Sequence, residues 1–179
     1  LARLAAMKAG YPYSADGIEP VFTDVLARYN VTNPVINVKD GSGLSSANRV
    51  SALTLAEALA KIYTEPKFAS LIQGLPVGGV SGTLRSRFLK TAPQSVGLVR
   101  AKTGTLRGVV SLAGYIDSGE HEYAFVVIAD RVGKYHAAES AARATIDRIL
   151  GKIASPLVIV QETEVAPEEV PAPSEITPN

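Results

Sequence analysis

The sequence predicts an α/β fold in which an antiparallel sheet is flanked by helices, and three observations carry that reading. Three β-rich stretches follow one another closely: Gly97 to Thr103, Gly108 to Asp117 and Glu122 to Arg131. The second and third are joined by a short Ser118-Gly119 turn, which makes them an antiparallel hairpin. Helix-periodic segments lie both before and after this run.

Ile18 to Asn30 reads as an amphipathic helix with Val21, Phe22, Val25, Leu26 and Tyr29 on one face. Pro20 fits its first turn, where a missing N–H costs nothing. Asn33-Pro34 ends it, and Val35 to Val38 makes a short strand. Asp40-Gly41-Ser42-Gly43 then forms a tight loop. Ser51 is placed to cap a helix from Ala52 to Tyr63, with Leu55, Leu59 and Ile62 on one face. Pro66 ends or restarts that helix, and Lys67 to Gln73 continues as another. Gly74 to Gly82 is glycine-rich, yet it lacks the Gly-Lys-Ser/Thr ending of a P-loop and the spacing of a dinucleotide fingerprint. It therefore reads as a connecting loop near the site. After the strands, Lys134 to Ile153 is an alanine-rich helix whose Ala137, Ala141, Ala144, Thr145, Arg148 and Ile149 suit close packing on the sheet. Residues 1–154 make one domain. Residues 155–179, rich in Pro and Glu, read as a disordered tail in which Leu157 to Val160 would suit an edge strand.

Composition removes several function classes. A net charge of +1 supplies no long-range field for nucleic acid or an anionic membrane. The longest apolar run, Tyr123 to Ala129, falls far short of the roughly 18 residues that cross a bilayer. With no cysteine, disulfides, thiolate metal sites and thiol catalysis are excluded. The two histidines have poor catalytic context: His121 sits in a polar hairpin tip, and His136 opens a helix beside Tyr135.

What remains is hydroxyl, amide and ammonium chemistry. Lys102-Thr103-Gly104-Thr105 lies on the first β-rich stretch, downstream of Asp40-Gly41-Ser42-Gly43-Leu44-Ser45-Ser46-Ala47-Asn48. An edge strand offers N–H and C=O groups to an extended peptide. Lys102 would add positive charge beside it, Thr103 a hydroxyl donor for a terminal carboxylate, and Gly104 a backbone open to close approach. The Thr105 N–H would form half of an oxyanion hole. Arg100 alternates onto the face of Lys102, which predicts a doubly cationic patch. Each residue also has a plainer reading: Lys102 as a surface lysine, Gly104 as a bulge, and Ser45, Ser46 and Asn48 as helix caps. A Ser/Asn cluster and a strand Lys-Thr-Gly are two of three parts of a penicillin-recognising serine site. The third part, a serine with lysine three residues on, is missing; Ser86 is followed by Lys90, one residue too far.

Three blocks in order, Asp40 to Ser51, Gly79 to Arg85 and Ala101 to Tyr115, make the chain resemble the D-Ala-D-Ala carboxypeptidase/endopeptidase family. These are the class C low-molecular-mass penicillin-binding proteins, and the likeness runs from about residue 1 to 154. The resemblance implies the C-terminal half of a β-lactamase/transpeptidase-like domain. It implies a serine acyl-transfer enzyme outside the cytoplasm (periplasm, cell wall or secreted) that acts on peptidoglycan stem peptides, binds β-lactams and uses no cofactor or metal. The N-terminal part of the same enzyme would bring the nucleophile, so this chain alone would be inactive. Catalytic roles fall on Ser45, as proton relay to the leaving amine, Asn48 and Lys102. Thr103, Gly104, Thr105 and Ser46 become substrate-binding. Ser45 and Ser46 compete for the motif-serine position. A non-catalytic peptidoglycan- or protein-binding fragment, or a β-lactamase or esterase relative, are the alternatives.

Overall fold

In the computed structural model, which describes residues 1–31, 34–133 and 135–154, the strongest alternation in the sequence becomes the central sheet. Its strands β3 (Val99–Leu106), β4 (Val109–Asp117) and β5 (Glu122–Ala129) pair antiparallel in the order β3-β4-β5. The register runs unbroken from Val99 opposite Ile116 to Leu106 opposite Val109. Side chains alternate between faces: Val99 and Ala101 are buried while Arg100 and Lys102 are exposed. The first strand outruns its expected end at Thr103. Gly108 takes φ +81°, so Arg107 and Gly108 close a two-residue turn that lets pairing continue to Leu106. The third strand stops at Ala129 rather than Arg131, whose φ of +56° leaves the extended region.

A 19-residue helix, α5 (His136–Ala154), covers one face of the sheet. Its packing face differs from the alanine stripe expected. Ile146, Leu150 and Ala154 are buried against Leu84, Phe88, Val99, Leu112 and Ile116, whereas Ala137 and Ala141 are exposed. Alanines stand on both stripes of this helix, so they cannot choose between them. Burying Ile146 and Leu150 contributes roughly 1.5–3 kcal/mol each, far more than an alanine, and that rotates the helix. Arg87 is drawn to the same helix, where its Nε donates to both carboxylate oxygens of Asp147 at 2.9 and 3.1 Å.

The opposite face carries α3 (Ala52–Thr64), capped as expected: the Ser51 hydroxyl accepts from the Thr54 N–H. The Tyr115 hydroxyl donates to the Leu59 carbonyl at 2.9 Å, and the Tyr63 and Tyr115 rings lie 5.4 Å apart. Pro66 does restart the chain, first as a 3₁₀ turn (Pro66–Phe68) and then as α4 (Ala69–Gln73). At the N-terminal end α1 (Ala2–Lys8) packs on α2 (Ile18–Arg28). The α2 face is narrower than the sequence suggests, since Ile18 and Val21 are buried while Phe22 and Val25 stay exposed. Strands β1 (Ile36–Asn37) and β2 (Arg49–Val50) form a separate short ladder. Lys134 and the segment after Ala154, including the tail and the strand expected at Leu157 to Val160, lie outside the described residues.

Candidate active site

The Ser/Asn loop begins and ends at one neck. Ile36 pairs with Val50 and Asn37 with Arg49, so residues 38–48 project as an excursion. Asp40 organises it. One carboxylate oxygen accepts from the Gly43 N–H at 2.8 Å and the Asn48 amide at 3.0 Å; the other accepts from the Ser45 N–H at 2.8 Å. The Asn48 side-chain oxygen Oδ1 accepts in turn from the Lys39 N–H at 2.7 Å and the Asp40 N–H at 3.3 Å. Ser45 accepts from the Ala47 N–H at 3.2 Å, and Ser46 is exposed. None of these three caps a helix; that role belongs to Ser51.

This bonding holds the Asp40 carboxyl below its ordinary range. The Asn48 amide is the largest cause, opposed by partial desolvation and reinforced by the Gly43 and Ser45 N–H groups and the Ser42 hydroxyl. The ionised form is favoured in the folded loop. Its ordering contribution is therefore complete above the unfolded value of about 3.9 and is lost as pH falls through the lowered folded value. We expect the Gly43 and Ser45 amide chemical shifts to stay constant down to about pH 4 and to move together only below it. A joint transition at or above the ordinary aspartate range would show that the carboxylate does not hold the loop.

The edge of β3 is only half open. The Ala101 N–H donates to the Pro76 carbonyl and the Gly78 N–H to the Val99 carbonyl, so the glycine-rich loop covers the first half. Backbone groups alternate direction in an antiparallel strand. The N–H and C=O groups of Thr103 and Thr105 therefore point outward along the uncovered half, like those of Ala101. Lys102 is exposed, and its ammonium donates to the Thr103 carbonyl at 2.7 Å. Gly104 sits in regular register opposite Ser111, which rules out the bulge. A Cβ there would lie 2.3 Å from the Ser111 hydroxyl, so any larger residue would require that hydroxyl to turn away. Arg100 keeps the expected face but lines a different cavity with Asp117 and Glu122, so the doubly cationic patch does not form.

The two regions meet. Ser42, Gly43 and Leu44 form one wall of a cleft of about 340 Å³, and Lys102, Thr103, Gly104 and Thr105 form the facing wall. Ser45, Ser46 and Asn48 belong to the same loop but are not among the residues that line this cleft. On the α5 side of the same strand lies a second recess of about 280 Å³, lined by Thr83, Ser86, Thr103, Thr105, Ser111 and Arg143 among others. There the Thr103 hydroxyl donates to the Thr83 hydroxyl at 3.2 Å. Sequence reasoning assigned Thr83, Ser111 and Arg143 no role. Thr83 does fall in the Gly79 to Arg85 block of the family resemblance, the one signal that could have found it.

Residues 1–153 match the D-Ala-D-Ala carboxypeptidase 3 (S13) family. The chain belongs to that family. Among its members, carboxypeptidase DacB of Mycolicibacterium smegmatis is 36% identical over 138 residues, which is 74% of this chain and 30% of the relative. The D-alanyl-D-alanine carboxypeptidase of Actinomadura is 37% identical over 110 residues, covering 59% of this chain and 20% of the relative. Penicillin-binding protein 4 of Haemophilus influenzae, crystallised with a β-lactam, superposes with a TM-score of 0.73 at 27% identity. That match covers 86% of this chain and 37% of the other. The chain thus spans about a fifth to a third of the length of these curated relatives. Its mixed fold, an antiparallel sheet between helices, is that of the penicillin-binding structure.

Proposed function

We propose that this chain forms two walls of the active site of a serine-type D-Ala-D-Ala carboxypeptidase acting on peptidoglycan stem peptides outside the cytoplasm. The observation that carries the reading is the convergence of Ser42, Gly43 and Leu44 with Lys102 to Thr105 on one cleft, in a member of this family. The nucleophile is a serine with lysine three residues on, supplied by a segment other than these residues, upstream in the same protein or on a companion chain. A peptide lies along the open half of β3. The serine attacks the D-Ala-D-Ala carbonyl, and the Thr105 N–H donates to the developing oxyanion. Lys102 holds the positive field of the proton network, and Ser45, with Ser46 as its rival, relays a proton to the leaving amine. Asn48 orients the acyl side of the substrate, and Thr103 binds its terminal carboxylate. D-Ala departs, and water then hydrolyses the acyl-enzyme. β-Lactams acylate the same serine.

Fluorescent penicillin tests this directly. The full-length protein, nucleophile segment included, is expected to label covalently, and residues 1–154 alone are not. Failure of the full-length protein to label would favour a non-catalytic binding module of the same fold.

A further inference from the structure

The recess on the α5 side of β3 is built differently from the Lys102 cleft. Strand alternation sends the Thr103 and Thr105 side chains to the face opposite Lys102. There they oppose Leu112 and Val110 on β4, on the side that α5 covers. The 3₁₀ turn Gly82–Leu84 brings the Thr83 hydroxyl to within 3.2 Å of that of Thr103. Arg143 reaches in from α5, its Nη2 standing 3.5 Å from the Thr105 hydroxyl and 3.2 Å from a Glu139 carboxylate oxygen. The other arginine of this recess is committed elsewhere: Arg87 is bound to Asp147 and to the Arg143 carbonyl.

We propose that Arg143 is a specificity-determining residue that makes the enzyme prefer peptides ending in a free carboxylate. This rests on the functional reading above, in which Thr103 receives the terminal carboxylate beside an acyl oxygen at the Thr105 N–H. A carboxylate on that side is an acceptor only, with about four lone-pair sites. The recess offers donors of matching kind: the hydroxyls of Thr83, Thr103 and Thr105, and a guanidinium with five N–H groups of which two are engaged here. Glu139 holds the guanidinium in place without exhausting it. A leaving group that continues as an amide, as in a cross-linked peptide, brings no charge and an N–H of its own. It would forgo the charge-assisted hydrogen bonds that a carboxylate makes with these donors, which are roughly twice as strong as neutral ones. Selection for the free terminus therefore follows from the side of the strand opposite Lys102.

The test compares kcat/KM of the full-length protein on a peptide ending in free D-Ala-D-Ala and on the same peptide with a C-terminal amide. Arg143→Gln is expected to lower the free-acid value about 10- to 100-fold, the size of a lost charge-assisted hydrogen bond, and to move the amide value less than about 3-fold. Arg143→Lys should restore part of the preference. Should Arg143→Gln fail to fold, Thr83→Val is expected to lower the free-acid value alone, by about 5-fold. An acid-to-amide ratio unchanged in these variants would overturn the role of Arg143 and leave the enzyme reading standing. A wild-type protein that hydrolyses neither peptide would overturn both.

Discussion

Lys102→Ala in the full-length protein is expected to slow acylation by penicillin about 100- to 1,000-fold and to shift the Tm by less than about 2 °C. The two halves of this expectation come from different observations. Lys102 is exposed and makes no ion pair among the described residues; its one bond goes to the neighbouring Thr103 carbonyl. Removing such a side chain alters stability by about 0.5 kcal/mol or less, and about 1 kcal/mol moves the Tm of a domain this size by only 2–4 °C. Its position is another matter. It lines the same cleft as Thr105, whose outward N–H lies where negative charge develops in the proposed reaction. A fixed charge aimed at that point is worth about 2.7–4 kcal/mol in the transition state. Stopped-flow acylation beside thermal melting separates the two. A large fall in Tm with acylation intact would make Lys102 a structural residue.

The second large effect concerns stability. Asp147→Ala should destabilise the protein by about 3–5 kcal/mol, lowering the denaturation midpoint with the denaturant slope unchanged. Asp147 is 2% exposed. It accepts from Arg87, from the Thr91 hydroxyl at 2.9 Å and from the Phe88 N–H at 3.4 Å. Alanine there would strand a guanidinium whose side chain is only 13% exposed. It would also release Phe88, a bulky residue held at φ +70°, where a side chain is strained by about 1–3 kcal/mol. Phe88 follows the 3₁₀ turn that presents Thr83, so the loss should loosen the carboxylate recess as well. Asp147→Asn keeps acceptor capacity on one oxygen and is expected to lose about half as much. Equal stability of Asp147→Ala and the wild type would contradict this account of the α5 attachment.

How much of this was legible depended on distance along the chain. Helices α2 and α3 and the three long strands follow from periodicity and from local signals such as Ser51 and Pro20. Strand ends were missed where backbone conformation rather than residue type sets them, at the Arg107-Gly108 turn and at Arg131. The α5 face was misread because alanines recur on both stripes, and only the tertiary partners Leu84, Phe88 and Leu112 select Ile146 and Leu150. In the site, Lys102 to Thr105 stood out as a motif. The Asp40 loop could have been taken further, since aspartate before Gly-Ser-Gly commonly accepts from backbone N–H groups just ahead. Thr83 and Arg143 could not be found that way. They lie 20 and 38 residues from the threonines they meet, and only the packing of α5 and the 3₁₀ turn on the sheet brings them there.

The most direct measurement is a crystal structure of the full-length protein acylated by a β-lactam. The account predicts an adduct on a serine outside residues 1–154, lying in the cleft between Ser42 and Lys102. Its carbonyl oxygen should accept from the Thr105 N–H and its carboxylate should point to Thr103. An adduct on a serine of this chain, or one bound away from β3, would contradict it.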